Sequence, residues 1–261
     1  MLILLGAKGF VGHAVLAELE SYEECLGIDV DTYDEHCGTP CDVLVNVNGN
    51  SKKFLAAEDP GLEFDLSVRS VVRSVYDFPC RRYVFISTVD VYTECSDPAR
   101  THEDTVIDPR GQSPYGFHKW LAEQYVRTVC DNWLIVRLGG MVGPGMKKGP
   151  VYDLVNDVPL RVHVDSRYQY IHTRAVGRTI RALLERDVTG EVFNVCGTGT
   201  ISLREIAGML GKEIEADPSL EAQHYEINNA KLSALLELPT TQASVEEFLA
   251  ESPDGTGSHF A

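Results

Sequence analysis

The first twelve residues constrain the fold of this chain more than any other stretch, because a short apolar run leads directly into three glycines. Residues 2–5 are all apolar, as expected of a parallel strand that is buried on both faces. Gly6, Gly9 and Gly12 follow, and a glycine lets the chain turn sharply because it has no Cβ to clash. The stretch therefore predicts a strand, a tight turn and the start of a helix.

The next residues indicate a dinucleotide-binding unit. Residues 13–20 have apolar side chains at helical spacing, and residues 25–29 form a second apolar run that ends on Asp29. In such a strand, helix and strand unit, the backbone amides at the start of the helix face a pyrophosphate. Here these are the amides of the glycine turn and of Phe10 and Val11, which stand between Gly9 and Gly12. The acid accepts hydrogen bonds from the hydroxyls of the adenosine ribose. The alternative is that the glycines only allow close packing of helix and strand, but the position of the acid favours the binding site.

Apolar runs and helical patterns alternate along the rest of the chain. They predict strands at residues 42–48, 82–88, 133–138 and 191–195, and helices at about 63–77, 114–126, 174–186 and 202–210. Because strands and helices alternate, we expect an α/β fold with a Rossmann-type, doubly wound parallel sheet. The short stretch between Asp29 and Asp42 leaves little room for a further helix.

We expect the chain to divide into three regions. Residues 1–140 are predicted to form the dinucleotide-binding Rossmann domain, which also carries the reactive side chains described below. Residues 141–251 are predicted to complete the sheet, at about 174–195, and to form a small C-terminal substrate lobe over the crevice. The tail at 252–261 is rich in Gly, Ser and Asp and is expected to be disordered.

Composition limits the classes of partner. The formal net charge of −16 argues against binding nucleic acid or an anionic membrane through a general basic surface, and no run approaches the roughly eighteen apolar residues of a membrane span. Seven cysteines, an odd count, fit free thiols in a reducing cytoplasm. We expect no metal, because no second pair of ligands at zinc spacing accompanies His36, Cys37 and Cys41.

Small polar residues end the predicted strand at 42–48. Asn48, Gly49 and Asn50 stand there, and the carboxyl ends of parallel strands line the ligand crevice of such a sheet. We therefore expect Asn48 to lie against the cofactor. An ordinary turn is the alternative.

A tyrosine and a lysine stand four residues apart in the predicted helix that follows Ser113. Tyr115 and Lys119 therefore lie on one face of that helix. We expect the ammonium to lower the pKa of the phenol from about 10, which makes the phenol a usable acid or base. Thr88, at the end of its strand, is expected to hydrogen-bond the same substrate oxygen as Tyr115. Proton transfer at a carbinol, coupled to hydride transfer from a nicotinamide, needs these parts.

In this order the motifs resemble a family, the extended short-chain dehydrogenase/reductases, which include nucleotide-sugar epimerases, dehydratases and reductases. The resemblance runs from Met1 to about Ala250. Its motifs, in chain order, are the glycine turn and Asp29; Phe85-Ile-Ser-Thr88-Val-Asp-Val-Tyr92; Ser113-Pro-Tyr115-Gly-Phe-His-Lys119; Arg137-Leu-Gly-Gly-Met-Val-Gly-Pro144-Gly145; Tyr170-Ile-His172-Thr; and Gly190-Glu-Val-Phe-Asn194-Val.

The resemblance implies roles for the residues of these motifs. Tyr115 would be the catalytic acid or base, Lys119 its electrostatic partner and a ligand of the cofactor ribose, and Thr88 the third catalytic residue. The glycine turn would hold the pyrophosphate. Asp29 would favour NAD over NADP, because its carboxylate occupies the space that a 2′-phosphate needs. His118, beside the pair, is expected to be structural.

Departures from the family pattern fall on substrate contacts. Gly140 replaces an asparagine of the family, and Tyr168 stands where an arginine is usual. Arg161, Arg167 and Arg174 are the candidate ligands for a diphosphate, with ordinary surface charge as the alternative.

The resemblance implies an NAD-dependent enzyme, and the leading hypothesis is epimerisation of a nucleotide-linked sugar by transient oxidation of a carbinol. The alternative within the enzyme class is an NAD(P)H-dependent reductase of a keto-sugar or another small ketone. Dehydration is less favoured, because Asp90 is the single acid just after Thr88. A non-catalytic dinucleotide-binding sensor is the alternative of another class. A homodimer that pairs the helices at 63–77 and 114–128 is also expected from the resemblance.

Overall fold

A computed structural model describes residues 1–50 and 53–251 of the chain, and the predicted tail at 252–261 lies outside the described residues. The strands are β1 (Leu2–Leu5), β2 (Cys25–Ile28), β3 (Cys41–Asn46), β4 (Cys80–Thr88), β5 (Trp133–Leu138), β6 (Gly140–Val142), β7 (Arg167–Tyr168), β8 (Tyr170–His172), β9 (Glu191–Val195) and β10 (Ile201–Ser202).

The α-helices surround these strands. They are α1 (Phe10–Glu20), α2 (Leu55–Glu58), α3 (Pro60–Phe64), α4 (Ser70–Asp77), α5 (Pro114–Val129), α6 (Pro150–Val155), α7 (Thr173–Glu185), α8 (Leu203–Met209), α9 (Ala230–Ser233) and α10 (Thr241–Glu251). A π-helical turn at Asp65–Arg69 joins α3 to α4. No helix within the described ranges is both long and apolar enough to cross a membrane.

Six parallel strands form the central sheet in the order β2-β1-β3-β4-β5-β9. This confirms the predicted Rossmann-type α/β fold. The chain leaves β1 toward one edge and returns to β3 on the other side of β1, so the strand order reverses between these two strands. Ligands of doubly wound sheets bind at such a reversal, outside the carboxyl ends of the strands. A short 3₁₀ turn at Asp34–His36 is the regular structure between β2 and β3, in keeping with the short connection expected there.

Two apolar clusters cover the two faces of the sheet. Side chains of a strand alternate between faces, so Leu2 and Leu4 lie in one cluster, whereas Ile3 and Leu5 lie in the other. Helices α1 and α7 cover the first face, and α4 and α5 cover the second. Burial on both faces explains why the strands are continuous apolar runs.

A third apolar cluster lies outside the main sheet. Its buried members come from the region around β6 to β8 and from β10, α8 and α10. The pair β6 and β8 is parallel, and the pair β7 and β10 is antiparallel. Helix α7 and strand β9 return to the main sheet between these parts. The division at residue 140 and the substrate role of this lobe remain predictions.

Candidate active site

The glycine turn places the start of α1 directly against the end of β1. Gly6 has a φ of +85°, and its N–H donates to the carbonyl of Ile28 at 2.7 Å. A Cβ on Gly12 would lie 1.9 Å from the carbonyl oxygen of Gly6, so no side chain fits there. Gly9 is the N-cap residue of α1 and offers no capping side chain. The first amides of α1 are therefore open to an anion, which suits a pyrophosphate.

Asp29 is held beside this turn. The backbone N–H of Lys8 lies 3.0 Å from each oxygen of the Asp29 carboxylate. Each carboxylate oxygen keeps a further lone pair, so the group can still accept ribose hydroxyls. The geometry fits the adenosine end of a dinucleotide.

The end of β3 meets the glycine turn at Asn48. A Cβ on Gly6 would lie 3.1 Å from the backbone nitrogen of Asn48. The N–H of Asn48 donates to the side-chain oxygen of Asn46 at 2.9 Å, and the Asn46 amide donates to the hydroxyl of Tyr83 at 2.7 Å. Asn46, which sequence reasoning missed, thus fixes the backbone at the crevice. A polar residue directly after the apolar run at 43–45 was the available signal.

Helix α5 brings Tyr115 to the end of β4. Ser113 caps the helix by accepting the N–H of Gly116 at 3.1 Å, and Pro114 occupies its first turn. A Cβ on Gly116 would lie 2.1 Å from the carbonyl oxygen of Asp90. The helix therefore packs directly on the turn that follows Thr88.

Thr88 is engaged with Asp90. The hydroxyl of Thr88 donates to the Asp90 carboxylate at 2.8 Å and accepts the N–H of Asp90 at 3.2 Å. Lys53 completes the group, with its ammonium 2.6 Å from the same carboxylate. The Asp90 carboxylate thus lies at the candidate catalytic threonine with a counter-charge.

Lys119 is almost fully buried, with 4% of its surface exposed. Its ammonium donates to the carbonyl of Ile86 at 2.8 Å and lies 4.4 Å from the ring centroid of Phe85. Burial lowers the pKa of Lys119 to about 8, against the carboxylates of Glu123 and Glu63, which raise it.

A pocket of about 410 Å³ opens beside the turn that carries Asp90. Asp90 and Ser113, which flank Thr88 and Tyr115 in the chain, form part of its wall. Its other lining residues are Tyr92, Thr93, Glu94, Cys95, Gly111, Gln223, His224 and Tyr225. Among the residues that the structure describes, no arginine or lysine lines this pocket.

Comparison with known proteins places the chain in a family. The model of the NAD-dependent epimerase/dehydratase family matches residues 2–196. The chain belongs to the NAD-dependent epimerase/dehydratase family. The resemblance seen in the sequence is thereby confirmed, and the protein is an enzyme that depends on a nicotinamide dinucleotide. No curated protein sequence matches the chain significantly.

Several solved structures have a fold similar to that of this chain. RMD from Pseudomonas aeruginosa, solved with NADPH, is 19% identical with a TM-score of 0.79, over 96% of this chain and 98% of that one. A dTDP-4-dehydrorhamnose reductase from Clostridium acetobutylicum is 19% identical with a TM-score of 0.79, over 97% and 100%. A UDP-galactose 4-epimerase is 20% identical with a TM-score of 0.75, over 96% and 99%. Identities this low show likeness of fold.

One expectation about the family's catalytic pair is wrong for this structure. We expected Lys119 to lower the pKa of Tyr115, whereas burial raises it, and the carboxylates of Asp90 and Glu63 raise it further. Removal from water disfavours the charged tyrosinate. The Lys119 ammonium is meanwhile turned to the Ile86 carbonyl.

Sequence reasoning also missed a buried ion pair between α5 and β5. The guanidinium of Arg137 donates to Glu123 at 2.7 and 3.0 Å, and Ser87 donates to the same carboxylate at 2.5 Å. Arg137 also donates to the hydroxyl of Tyr92 at 2.9 Å. These contacts tie α5 to β4 and β5. A lone arginine inside the apolar run of β5 was the signal for a buried partner.

The three candidate diphosphate ligands lie outside the lining of the pocket. Arg167 contacts Glu205 at 3.0 Å, and Arg174 forms ion pairs with Glu247 and Glu251. These side chains tie parts of the smaller lobe together. The remaining candidate, Arg161, is exposed.

Within the described residues, one group of side chains has a spacing that could hold a metal ion: His172, Glu247 and Glu251. Arg174 already pairs with both carboxylates, and its N–H donates to Nδ1 of His172 at 3.2 Å. The group is therefore satisfied as a hydrogen-bonded cluster between β8, α7 and α10.

Proposed function

We propose that this protein is an NAD-dependent epimerase that acts on a nucleotide-linked sugar through transient oxidation of a carbinol. The observation that carries the proposal is the packing of α5, which carries Tyr115 and Lys119, against the carboxyl end of β4 at Thr88, on the edge of the sheet where the glycine turn also lies. When bound, the nicotinamide supplies the hydride chemistry.

The side chains of the chain handle the proton. Thr88 holds the substrate oxygen by a hydrogen bond, and Tyr115 takes the proton of the carbinol during oxidation and returns it during reduction. Lys119 provides a positive charge on the same helix. We propose that Phe10, Val11 and the glycines bind the pyrophosphate, and that Asn48 lines the crevice.

We propose NAD as the preferred cofactor, because Asp29 stands where a 2′-phosphate would lie. Its carboxylate, fixed by the N–H of Lys8, would repel that phosphate. NADP is the less favoured alternative.

We propose a diphosphate-linked sugar as the substrate, in line with the UDP-galactose 4-epimerase of similar fold. Arg161, Arg167 and Arg174 remain the candidate ligands of the diphosphate. Arg167 and Arg174 would have to leave their glutamates, whereas Arg161 is exposed. We therefore rank Arg161 first.

A reductase of a keto-sugar or another small ketone is the second candidate, and the raised pKa of Tyr115 favours it. A phenol that stays protonated is ready to donate a proton to a ketone oxygen. The reductase from Clostridium acetobutylicum has a similar fold.

The substitution Tyr115→Phe tests the catalytic assignment. It removes the hydroxyl and keeps the ring, so we expect dinucleotide binding to persist while turnover falls about 10²- to 10⁴-fold. Tyr22→Phe, at an exposed tyrosine after α1, is the matched control and should turn over normally. Unchanged turnover in Tyr115→Phe contradicts the proposal.

The fate of the cofactor separates the two enzyme candidates. An epimerase recycles its cofactor, so the purified protein should retain NAD and need none added. A reductase should consume added NADH in proportion to the product. Mass spectrometry of the ligands released from the protein, followed by absorbance at the nicotinamide band during turnover, distinguishes these outcomes.

We propose a cytoplasmic location and a homodimer for the protein. All seven cysteines are free thiols, as suits a reducing compartment. The helices from Pro60 to Asp77 and α5 pack together, with the hydroxyls of Tyr76 and Tyr125 at 2.7 Å. This pair of helices exposes the apolar side chains of Leu62 and Leu66, which supports pairing with a second copy.

A further inference from the structure

Lys8 stands in the glycine turn, directly before Gly9, and it contacts two different carboxylates. Its backbone N–H lies 3.0 Å from each oxygen of Asp29, the acid proposed to bind the adenosine ribose. Its side-chain ammonium lies 3.3 Å from the carboxylate of Asp31. One lysine therefore joins the turn after β1 to the turn after β2, beside the proposed ribose site.

The turn after β2 fixes the position of Asp31. The N–H of Thr32 donates to the carbonyl of Asp29 at 3.0 Å, which closes a four-residue turn with Val30 and Asp31 at its centre. The hydroxyl of Thr32 donates to the same carbonyl at 3.4 Å. Asp31 is thereby held within reach of Lys8, two residues beyond the ribose acid.

The ion pair of Lys8 and Asp31 is free to exchange partners. The two side chains are 71% and 74% exposed, and an exposed pair of this kind contributes little to the stability of a fold. Lysine carries its ammonium on a flexible four-carbon stem. Because the stem of Lys8 begins beside the carboxylate of Asp29, its ammonium can pair with an anion bound next to that carboxylate.

The two nicotinamide dinucleotides differ at this end of the site. NADP carries a phosphate on the 2′-oxygen of the adenosine ribose, where NAD has the hydroxyl that an acid such as Asp29 binds. A phosphate monoester has nearly two negative charges at neutral pH. Asp29 and Asp31 outnumber the ammonium of Lys8, so the group as a whole is negative and opposes this phosphate.

We propose that Asp31 determines cofactor specificity by holding the ammonium of Lys8 away from the 2′-phosphate of NADP. The proposal rests on the proposed function for the assignment of Asp29 to the adenosine ribose. Asp29 opposes the phosphate through its own charge, whereas Asp31 competes with the phosphate for Lys8. The chain thus contains a cationic ligand for the 2′-phosphate that one of its own acids occupies.

Binding of NAD⁺ and NADP⁺ to the full chain, measured by calorimetric titration, tests the proposal without any substrate. Asp31→Asn removes the competing charge and keeps the size of the side chain. We expect this variant to bind NADP⁺ about three- to tenfold more tightly, because the ammonium of Lys8 can then pair with the phosphate. The affinity for NAD⁺, which lacks the phosphate, should change by less than about twofold. Asp34→Asn is the matched control, because it removes an exposed carboxylate of the same connection that is paired with Arg73, and it should leave both affinities unchanged.

A double-mutant cycle separates competition for Lys8 from a simple loss of negative charge. If Asp31 acts through Lys8, the gain in NADP⁺ affinity from Asp31→Asn should disappear when Lys8→Met is also present. An equal gain with and without Lys8→Met, or no gain in Asp31→Asn alone, overturns the proposal. A wild type that binds NADP⁺ more tightly than NAD⁺ contradicts the cofactor proposed above, and the cycle still decides whether Asp31 competes for Lys8.

Discussion

Burial shifts the pKa values of Tyr115 and Lys119 in opposite directions. Removal from water favours the neutral form of each group, so Tyr115 holds its proton more tightly and Lys119 holds its proton less tightly than usual. The phenol is consequently ready to act as an acid. We propose that its use as a base requires a charged Lys119 ammonium, because a nearby positive charge favours the tyrosinate.

The activity should therefore decline in the alkaline range. With a Lys119 pKa of about 8, the ammonium is present below that pH and is lost as the pH rises through it. We expect kcat/KM for carbinol oxidation to fall about tenfold per pH unit above this midpoint. Lys119→Met should show low activity without this alkaline decline. A wild-type profile that stays flat to pH 9.5 would contradict the assigned role of Lys119.

The role of the glycine turn in dinucleotide binding can be tested by adding one Cβ atom at Gly12. In Gly12→Ala the new Cβ would lie 1.9 Å from the carbonyl oxygen of Gly6, so the turn must move. We expect dinucleotide affinity to fall at least about tenfold and the protein to lose about 1–3 kcal/mol of stability, measured by calorimetric titration and by denaturant unfolding. Gly208→Ala in α8 is the control, because nothing lies within 4 Å of its added Cβ. This control should leave dinucleotide affinity unchanged. Equal affinities in the two variants would contradict the role of the glycine turn in binding the pyrophosphate.

Sequence patterns located the candidate residues within their elements. Gly12 lies in the first turn of α1, Thr88 ends β4, and Tyr115 and Lys119 lie on α5, whereas the roles of these residues remain predictions. The charge state of the pair could not be predicted in this way. It depends on burial and on Glu63, which lies far away in the chain and meets α5 only after folding.

At the scale of elements, helix α5 is fastened to the sheet through ionic contacts as well as apolar ones. Arg137 of β5 and Glu123 of α5 are both buried, with two hydrogen bonds between them. The pairing fixes α5 along its axis, and with it the distance of Tyr115 from the end of β4. The positioning of α5, which carries the candidate catalytic residues, therefore depends on this pair.

Breaking the ion pair between Arg137 and Glu123 should lower the free energy of unfolding strongly. Arg137→Met leaves Glu123 buried without its counter-charge, and we expect a loss of about 3–5 kcal/mol in the free energy of unfolding. Arg181→Met breaks partly exposed ion pairs with Glu185 on α7 and with Glu18 on α1, and should cost at most about 1 kcal/mol. Urea unfolding followed by circular dichroism measures both. Similar losses in the two variants would show that burial does not govern this contact.

The elements also show where pattern reasoning ends. Continuous apolar runs located the strands of the main sheet, because burial on both faces requires such runs. The apolar spacing at 63–77 predicted a helix but gave no sign of the π-helical turn at Asp65–Arg69, since one extra residue in a turn leaves the spacing nearly unchanged. That turn contains Ser67, which binds Glu63.

At the scale of the whole molecule, the pocket is assembled from distant parts of the chain. Its wall at Gln223 to Tyr225 is attached to β7, where the N–H of Arg167 donates to the Gln223 carbonyl at 2.8 Å and the N–H of Tyr225 donates to the Arg167 carbonyl at 2.9 Å. The segment has neither helical nor alternating apolar spacing, so its place in the pocket wall could not be predicted from sequence patterns. Arg167 thus supports the pocket through its backbone, although its side chain was the predicted ligand.

The homodimer is the prediction that concerns the molecule as a whole. Leu62 and Leu66 are 46% and 40% exposed, and they lie one turn apart on the helical segment that packs with α5. If a second copy covers them, replacing both with Glu should bury charges in the interface and separate the subunits. We expect the wild type to have the mass of two chains by light scattering at two concentrations, and Leu62→Glu/Leu66→Glu to have the mass of one. Val106→Glu, in a loop and 94% exposed, is the control and should remain a dimer. A wild type with the mass of one chain at both concentrations, or a double variant that remains paired, would assign these leucines another role.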